Sequence, residues 1–367
     1  MIDKEALVEK ACEYIDFKEV RDKWFSSSNE KLRKKCSVAV TKKIFDSLGQ
    51  SWDYIESFRK ELGMAGLELK LRGFENGEAD GAKNVIGVHL SDWSSWMPVY
   101  LCEPERLTSG CFKDIDEVKK HFGMPKLKRK KGMKNILIKR LAGELDFAAE
   151  KNAAYAVMHA MYCDYRHTLT GNPVYEDSKV VFAAMELLRE SLHTSKHKFN
   201  GFVLYENGAV YESGFKALGS PPQESLTDGY IIEMLKETEG ICLDTGHLLS
   251  HNLDLTEGDE FIQSQTEIFK DRIMAVHLSD RIKIPGQLPH GSEELQDDFN
   301  KAEGYYAKKA VAAKVIGDID QHLPIGFTIK KPHTFLKTIY PLRIVFELKT
   351  DNLSEAYFLQ QARLLGL

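Results

Sequence analysis

The chain has 367 residues, 43% hydrophobic and 29% charged, which is enough for one large folded core or two ordinary ones. Its formal net charge of −5 does not favour nucleic acid or an anionic membrane surface as a partner. It opens with a charged helical segment instead of a signal peptide, has no apolar run near the roughly 20 residues of a membrane span, and carries six cysteines without a CxxC pair; we therefore expect a cytoplasmic protein with reduced thiols.

Short apolar runs alternate with helical segments along the chain. A helical segment over residues 1–35 comes first and is expected to form an N-terminal extension outside the main fold. The first four predicted strands are residues 36–40, 66–70, 85–90 and 154–160. An insertion at about 93–135 separates the third strand from the fourth. Its Trp93 and Trp96 indicate a loop that either folds over an apolar pocket mouth or packs within the insertion itself.

The second half of the chain continues the alternation. Its predicted strands are residues 202–205, 241–243, 273–278 and 342–348. A polar, partly helical insertion is predicted at about 281–317, after the seventh strand. Eight strands that alternate with helices, without antiparallel hairpin signals, predict an α/β fold, a (β/α)8 TIM barrel over residues 36–367. A doubly wound sheet is less expected, because the sequence has no glycine-rich phosphate loop or dinucleotide fingerprint.

Residues of metal-binding type follow most of the predicted strands. In a TIM barrel the carboxyl ends of the strands form the active face, so these side chains are expected to meet there. One histidine at a strand end is more often a core residue than a ligand, but six consecutive strand ends with His, Asp or Glu favour a shared site. The residues at these ends are His89, His159, Glu206, Asp244 with His247, His277 and Glu347.

The segment GICLDTGHLL, residues 240–249, carries the most informative pair. Asp244 and His247 stand three residues apart where a buried strand ends, so both side chains can point to one cation at the mouth of a parallel sheet. Asp-Thr-Gly is also an ordinary turn that caps a following helix. The segment alone is compatible with both interpretations.

Two short patterns recur between the halves of the chain. VHLSD occurs at residues 88–92 and 276–280, and ELK occurs at residues 68–70 and 347–349. The order is reversed between the halves, so a common demand at strand ends explains the recurrence better than tandem duplication. Asp320 and His322 join the candidate ligands, because in extended chain two residues separated by one point the same way.

The set of polar strand ends, with LDTGH at residues 243–247 and DQHLPIG at residues 320–326, resembles the xylose isomerase-like TIM barrels. Within them it resembles the endonuclease IV type of AP endonuclease family 2, over roughly residues 36–350. The resemblance implies one to three divalent ions per chain (Zn, Mn or Fe). The implied metal ligands are His89, His159, Glu206, Asp244, His247, His277, Asp320, His322 and Glu347. Of these, Glu206, Glu347 and His247 are expected to take part in catalysis.

These residues are compatible with several functions. The first expectation is a multinuclear metal enzyme that hydrolyses a phosphoester-type substrate. The alternative is a sugar or sugar-phosphate isomerase or epimerase, which needs one divalent ion. A multinuclear non-heme iron oxygenase and a metal-binding barrel without catalysis are less expected. The substrate is expected to be a small molecule, phosphorylated or sugar-like. Nucleic acid is not expected, because the net charge is acidic and no DNA-penetrating loops are recognisable.

Overall fold

The chain folds around a closed barrel of parallel strands. The structure is a computed structural model, and it describes residues 17–75, 77–91, 95–123, 130–216 and 227–347. Within these ranges the barrel strands, numbered β1 to β8 in chain order, are Cys36–Val40, Gly66–Lys70, Val85–His89, Tyr155–His159, Phe202–Glu206, Glu239–Asp244, Ile273–Leu278 and Arg343–Phe346. Each pairs in parallel with the strand before it, and β1 closes the barrel on β8. The predicted (β/α)8 TIM barrel is confirmed.

Helices connect the strands and cover the barrel. The α-helices of the described ranges are Phe17–Phe25, Glu30–Arg33, Lys42–Ser47, Trp52–Glu61, Trp96–Tyr100, Ile115–His121, Lys130–Glu150, Tyr165–Thr170, Asp177–Thr194, Thr227–Met234, Thr245–Leu249, Gly258–Thr266, Glu293–Lys301, Gly304–Ile319 and His333–Ile339. None of them is both long and apolar enough to cross a membrane. A two-stranded antiparallel sheet of Met161–Tyr162 and Ser213–Gly214 lies beyond the ends of β4 and β5.

Some sequence predictions fall on residues whose structure is not described. These are residues 1–16 of the predicted N-terminal extension, residues 93, 94 and 124–129 of the first insertion, and residues 348–367. In the described part of the first insertion, the prediction of a loop around Trp96 is wrong. Residues Trp96–Tyr100 form a short helix, and all five of its side chains are buried.

The helix Phe17–Phe25 docks at the amino-terminal end of the barrel. Its Trp24 is fully buried and donates a hydrogen bond from Nε1 to the Leu62 carbonyl oxygen, at 2.8 Å. Leu62 follows the helix Trp52–Glu61 and precedes β2, so this contact lies at the opposite end of the barrel from the polar strand ends. The strand ends therefore remain clear of this helix.

Alternating side-chain direction separates the barrel interior from the outer core. One cluster of buried residues fills the interior: Tyr155, Val157, Leu204, Cys242 and Ala275. Side chains two residues apart on a strand lie on the same face. Four polar residues each stand two positions after a member of this cluster and so share its inner face. They are His159 after Val157, Glu206 after Leu204, Asp244 after Cys242, and His277 after Ala275. The pattern that packs the interior thus also directs these polar side chains into the carboxyl end of the barrel.

Gly87 of β3 leaves the space that the Tyr155 ring occupies inside the barrel. A Cβ at position 87 would lie 2.3 Å from Tyr155 Cζ. We expect Gly87→Ala to lower the free energy of unfolding by about 1–3 kcal/mol, because a buried ring must shift. Chemical denaturation measures this difference.

The matched control is Gly143→Ala, in the helix Lys130–Glu150. A Cβ there meets no atom of the described residues within 4 Å. Alanine favours a helix over glycine by about 1 kcal/mol, so this variant is expected to be as stable as the wild type or more stable. A Gly87→Ala protein as stable as the wild type would contradict the packing argument.

Candidate metal centre

Glu206, at the carboxyl end of β5, lies in the middle of the polar cluster and is completely buried. Its Oε2 lies 2.8 Å from His89 Nε2 and 2.7 Å from His159 Nε2. Its Oε1 lies 3.1 Å from His277 Nδ1. These contacts arise from the strand register, since β4 and β5 pair His159 with Glu206. Three imidazoles from three strands therefore converge on one carboxylate.

The charges around Glu206 favour its ionised form. Burial opposes ionisation, but His159, His277 and His89 together hold the pKa of the Glu206 carboxyl well below its usual value. Burial, with the ammonium of Lys70, lowers the pKa of the His89 imidazole. A carboxylate anion and a neutral imidazole are the forms that bind metal. Burial opposes the charged form of His277, but the surrounding acidic groups raise the pKa of its imidazole, so a bound cation would displace a proton there.

A second donor group adjoins the first and shares Glu206 with it. His277 Nδ1 lies 2.8 Å from Glu347 Oε2 and 4.0 Å from Asp244 Oδ2. One donor atom from each of Glu206, Asp244, His277 and Glu347 can be chosen so that all four lie within 4.8 Å of one another. Nitrogen and oxygen ligands bind zinc at about 2.0–2.2 Å, so donor atoms around one ion are separated by roughly 4 Å at most. The spacing fits one cation after small side-chain adjustments.

One carboxylate oxygen of Asp244 accepts a backbone hydrogen bond, and the other is available to a ligand. Its Oδ1 accepts a hydrogen bond from the His247 backbone N–H, at 2.8 Å, and so caps the helix Thr245–Leu249. Its Oδ2 is buried and has no hydrogen-bond partner among the described residues. A buried carboxylate oxygen without a partner is unfavourable, and a cation would satisfy it. The helix-capping interpretation is thus correct and does not exclude the metal interpretation.

A third donor group combines Asp244 with His247 and His322. Asp320 belongs to the same region, with its Oδ1 2.5 Å from His322 Nε2 and 3.7 Å from His247 Nε2. The prediction that Asp320 and His322 lie in extended chain is wrong. Asp320 ends the helix Gly304–Ile319, and His322 has a left-handed backbone with φ of 45°. The two side chains converge because the chain turns between them.

The three donor groups contain eight of the nine metal ligands that the sequence indicated, and the ninth, Asp320, lies beside the third group. Glu206 belongs to the first and second groups, and Asp244 belongs to the second and third. Imidazole nitrogen and carboxylate oxygen suit Zn, Mn or Fe. The residues therefore fit divalent ions at up to three adjacent positions.

Glu68 and Lys70 of β2 were not among the metal-binding or catalytic residues predicted from the sequence. Glu68 is fully buried; its Oε2 accepts a hydrogen bond from Tyr155 OH, at 2.7 Å, and its Oε1 lies 3.0 Å from His277 Nε2. Lys70 Nζ contacts Glu347 Oε1. Burial disfavours the ammonium form, but the charges of Glu347 and Glu206 raise the pKa of Lys70 above its usual value. The recurrence of ELK at residues 68–70 and 347–349 was the available signal.

Asn207, which follows β5, orients the third donor group. Its side chain donates to the Asp244 carbonyl oxygen at 3.0 Å and accepts from the Asp244 N–H at 2.8 Å. Its carbonyl oxygen lies 2.9 Å from His247 Nδ1. Because a carbonyl oxygen can only accept, the proton of a neutral His247 resides on Nδ1, which leaves Nε2 as the metal-binding nitrogen.

Comparisons with known proteins show a likeness of fold. No family model and no curated protein matches the chain. A solved structure of a D-tagatose 3-epimerase-like protein is similar at 14% identity over 89% of this chain and 94% of that chain, with a TM-score of 0.48. The TTHB071 protein from Thermus thermophilus, soaked with ZnCl2, is similar at 15% identity over 89% and 97% of the two chains, with a TM-score of 0.44. Endonuclease IV from the same organism is similar at 14% identity over 90% and 97%, with a TM-score of 0.41. These structures include proteins of the kind that the sequence resembles, endonuclease IV among them, but at identities of 14–15% and TM-scores below 0.5 they show a likeness of fold alone.

Removal of divalent metal by a chelator is expected to lower the thermal midpoint of unfolding, and added Zn or Mn is expected to restore it. An ion that binds only the folded protein stabilises it by about 2.7 kcal/mol at a hundred times its Kd. Differential scanning calorimetry measures the shift. His159→Ala is expected to reduce the shift, whereas His197→Ala, at an exposed histidine remote from the centre, is expected to retain it. Equal midpoints with and without metal would count against the centre.

Proposed function

We propose that the chain is a metal-dependent hydrolase whose multinuclear centre cleaves a phosphoester-type substrate. The observation that carries this proposal is that Glu206 and Asp244 each belong to two neighbouring donor groups. A carboxylate shared between two groups can bridge two ions. Two ions ~3.5–4 Å apart are the arrangement that stabilises both the attacking and the leaving oxygen of a phosphoryl displacement.

The proposal assigns distinct tasks to the residues of the chain. When bound, adjacent divalent ions would lower the pKa of a coordinated water and neutralise charge on the phosphoryl oxygens. Glu68 contacts Nε2 of His277 and orients that ring, and the Asn207 carbonyl oxygen contacts Nδ1 of His247 and orients the other ring. Partners of this kind hold ligands in the productive orientation and set which nitrogen carries the proton.

Lys70 supplies a cation that is not itself a metal donor. An ammonium group is a compact charge with three N–H donors and can bind a phosphoryl oxygen directly. Its contact with Glu347 places it at the edge of the second donor group. We propose that Lys70 binds the anionic part of the substrate.

The net charge of the centre links the number of ions to the class of substrate. The centre contains the five carboxylates of Glu68, Glu206, Asp244, Asp320 and Glu347. With neutral imidazoles, three divalent ions and the Lys70 ammonium, the net charge is about +2, which attracts an anionic substrate. With a single divalent ion it is about −2, which repels one. The three-ion form therefore favours a phosphorylated substrate more strongly than the one-ion form does.

Purified protein is expected to contain two or three divalent ions per chain by elemental analysis and to hydrolyse a chromogenic phosphate ester. His159→Ala is expected to lose metal and activity together, with kcat/KM reduced roughly a hundredfold or more, because it removes one donor of the first group. Steady-state kinetics on metal-analysed samples measure both quantities.

The matched variant for that experiment is Lys70→Gln. It is expected to keep the metal content of the wild type and to raise KM for the phosphorylated substrate, because it removes an ammonium and no donor atom of the three groups. Protein that holds one tightly bound ion, and no more, would rule out the multinuclear hydrolase.

A sugar or sugar-phosphate isomerase or epimerase is the second candidate, and one specific observation favours it. The donor group of Glu206, Asp244, His277 and Glu347 is complete around one position. Glu206 and Glu347 approach His277 Nδ1 from different strands, at 3.1 and 2.8 Å. Two carboxylates that flank a substrate can remove a proton from carbon and return it. The first and third donor groups have no task in this reaction.

For the isomerase candidate, metal-loaded protein in D2O is expected to incorporate deuterium next to the carbonyl carbon of a sugar or sugar phosphate. Mass spectrometry of a panel of aldoses, ketoses and their phosphates detects the exchange. Glu206→Gln is expected to abolish it, because an amide cannot accept the proton. No exchange over the whole panel, together with ester hydrolysis, would decide for the hydrolase.

A further inference from the structure

We propose that Asp280 is a positioning residue that holds Asp320 and His322 in the third donor group. Asp280 lies three residues after His277 and is completely buried. It belongs to none of the donor groups found among the described residues. The inference rests on the proposed multinuclear centre, since it assumes that Asp320 and His322 bind an ion.

The Asp280 carboxylate collects hydrogen bonds from one stretch of backbone. Its Oδ2 accepts the N–H groups of Gly326, Phe327, Thr328 and Ile329, at 3.0, 2.8, 3.0 and 3.0 Å. Its Oδ1 accepts the Thr328 hydroxyl at 2.5 Å and the Arg281 N–H at 2.7 Å. Successive backbone N–H groups that point at one oxygen form an anion-binding concavity. A carboxylate fills it, whereas a neutral amide offers a single acceptor oxygen.

The Asp280 backbone holds the same stretch from the other side. Its N–H donates to the Leu323 carbonyl oxygen at 2.7 Å, and the Leu323 N–H donates to the Asp280 carbonyl oxygen at 2.9 Å. One residue therefore holds the chain at position 323 and again at positions 326–329. His322 directly precedes the first of these attachments.

Backbone strain at His322 shows why an anchor is needed. Its φ of 45° is uncommon for any residue with a side chain. Such a conformation persists only where the surrounding contacts determine it. The backbone hydrogen bonds at Leu323 fix the residue after His322, and the Asp280 carboxylate holds the chain beyond it at residues 326–329, so the direction of the His322 side chain depends on both attachments.

Gln321 adds a second attachment between the same two segments. Its Oε1 accepts the Ile282 N–H at 2.9 Å, and its Nε2 donates to the carbonyl oxygens of Asp318 at 2.8 Å and Ile282 at 3.3 Å. Residues 280–282 thus hold residues 321–329 at several points. Residues 280–282, which come shortly after His277 and the end of β7, therefore determine where Asp320 and His322 lie.

The test compares metal content in Asp280→Asn and Asp259→Asn. We expect Asp280→Asn to fall from three ions per chain to two, measured by elemental analysis on protein shown to be folded by circular dichroism. The cobalt-substituted protein is expected to lose the visible absorption of one site. Asp259 is the matched control, because its Oδ2 accepts the N–H groups of Lys330 and Lys331, both at 2.8 Å, farther along the same loop. Asp259→Asn is expected to keep three ions.

A milder variant covers the case in which Asp280→Asn does not fold. Thr328→Val keeps the side-chain shape and removes one hydrogen bond to Asp280. Loss of a partner that orients a ligand typically weakens metal binding 10- to 100-fold, so we expect the affinity of one ion to fall roughly tenfold. Titration calorimetry measures the change.

The outcomes separate this inference from the proposed function. Three ions in the wild type and three in Asp280→Asn, or unchanged affinity in Thr328→Val where Asp280→Asn does not fold, would overturn the positioning role alone. An equal loss of metal in Asp259→Asn would also overturn it. Two ions per chain in the wild type would overturn the positioning role of Asp280, whereas the proposed hydrolase would stand as a binuclear enzyme. A single ion would overturn both proposals.

Discussion

The buried carboxylate of Glu206, surrounded by the imidazoles of His89, His159 and His277, is the interaction on which the centre depends. An ionised carboxylate inside a barrel is highly unfavourable unless cations or hydrogen-bond donors surround it. Here one group comes from β4, which pairs directly with β5, and two come from β3 and β7, which lie two strands away on either side and reach Glu206 because the sheet curves into a barrel. The curvature of the barrel therefore assembles the centre, and each polar strand end is tolerable because the others are present.

The barrel separates packing from chemistry by position along each strand. Below the rim the interior is filled by apolar side chains, and Gly87 makes room for Tyr155. Tyr155 in turn holds Glu68 through its hydroxyl, and Glu68 contacts His277. The apolar interior thus supports the polar rim through a chain of contacts instead of merely filling space.

The same rim is compatible with two reaction classes because they use different numbers of its donors. One donor group with Glu206 and Glu347 satisfies a proton transfer at carbon, whereas three connected groups with Lys70 satisfy displacement at phosphorus. A TIM barrel can carry unrelated reactions, so the choice rests on the occupancy and charge of the site. The anchoring of Asp320 and His322 by Asp280 bears on this choice, since those residues have no role in the one-ion reaction.

The apolar runs of the sequence predicted the barrel and its polar rim, because parallel strands buried on both faces consist of apolar residues and the polar residues directly after them lie at one end. The sequence left the two interpretations of Asp244 open, and the structure shows that one oxygen caps a helix while the other remains available. It misjudged residues 96–100, where aromatic side chains pack as a buried helix, and the backbone between Asp320 and His322, which turns. Lys70, Glu68 and Asp280 lie in the recurring ELK and VHLSD patterns, but only the tertiary structure shows which groups they contact. Their partners lie far away in the chain, Glu347 being 277 residues from Lys70, and a local pattern carries no information about contacts that only the closed barrel creates.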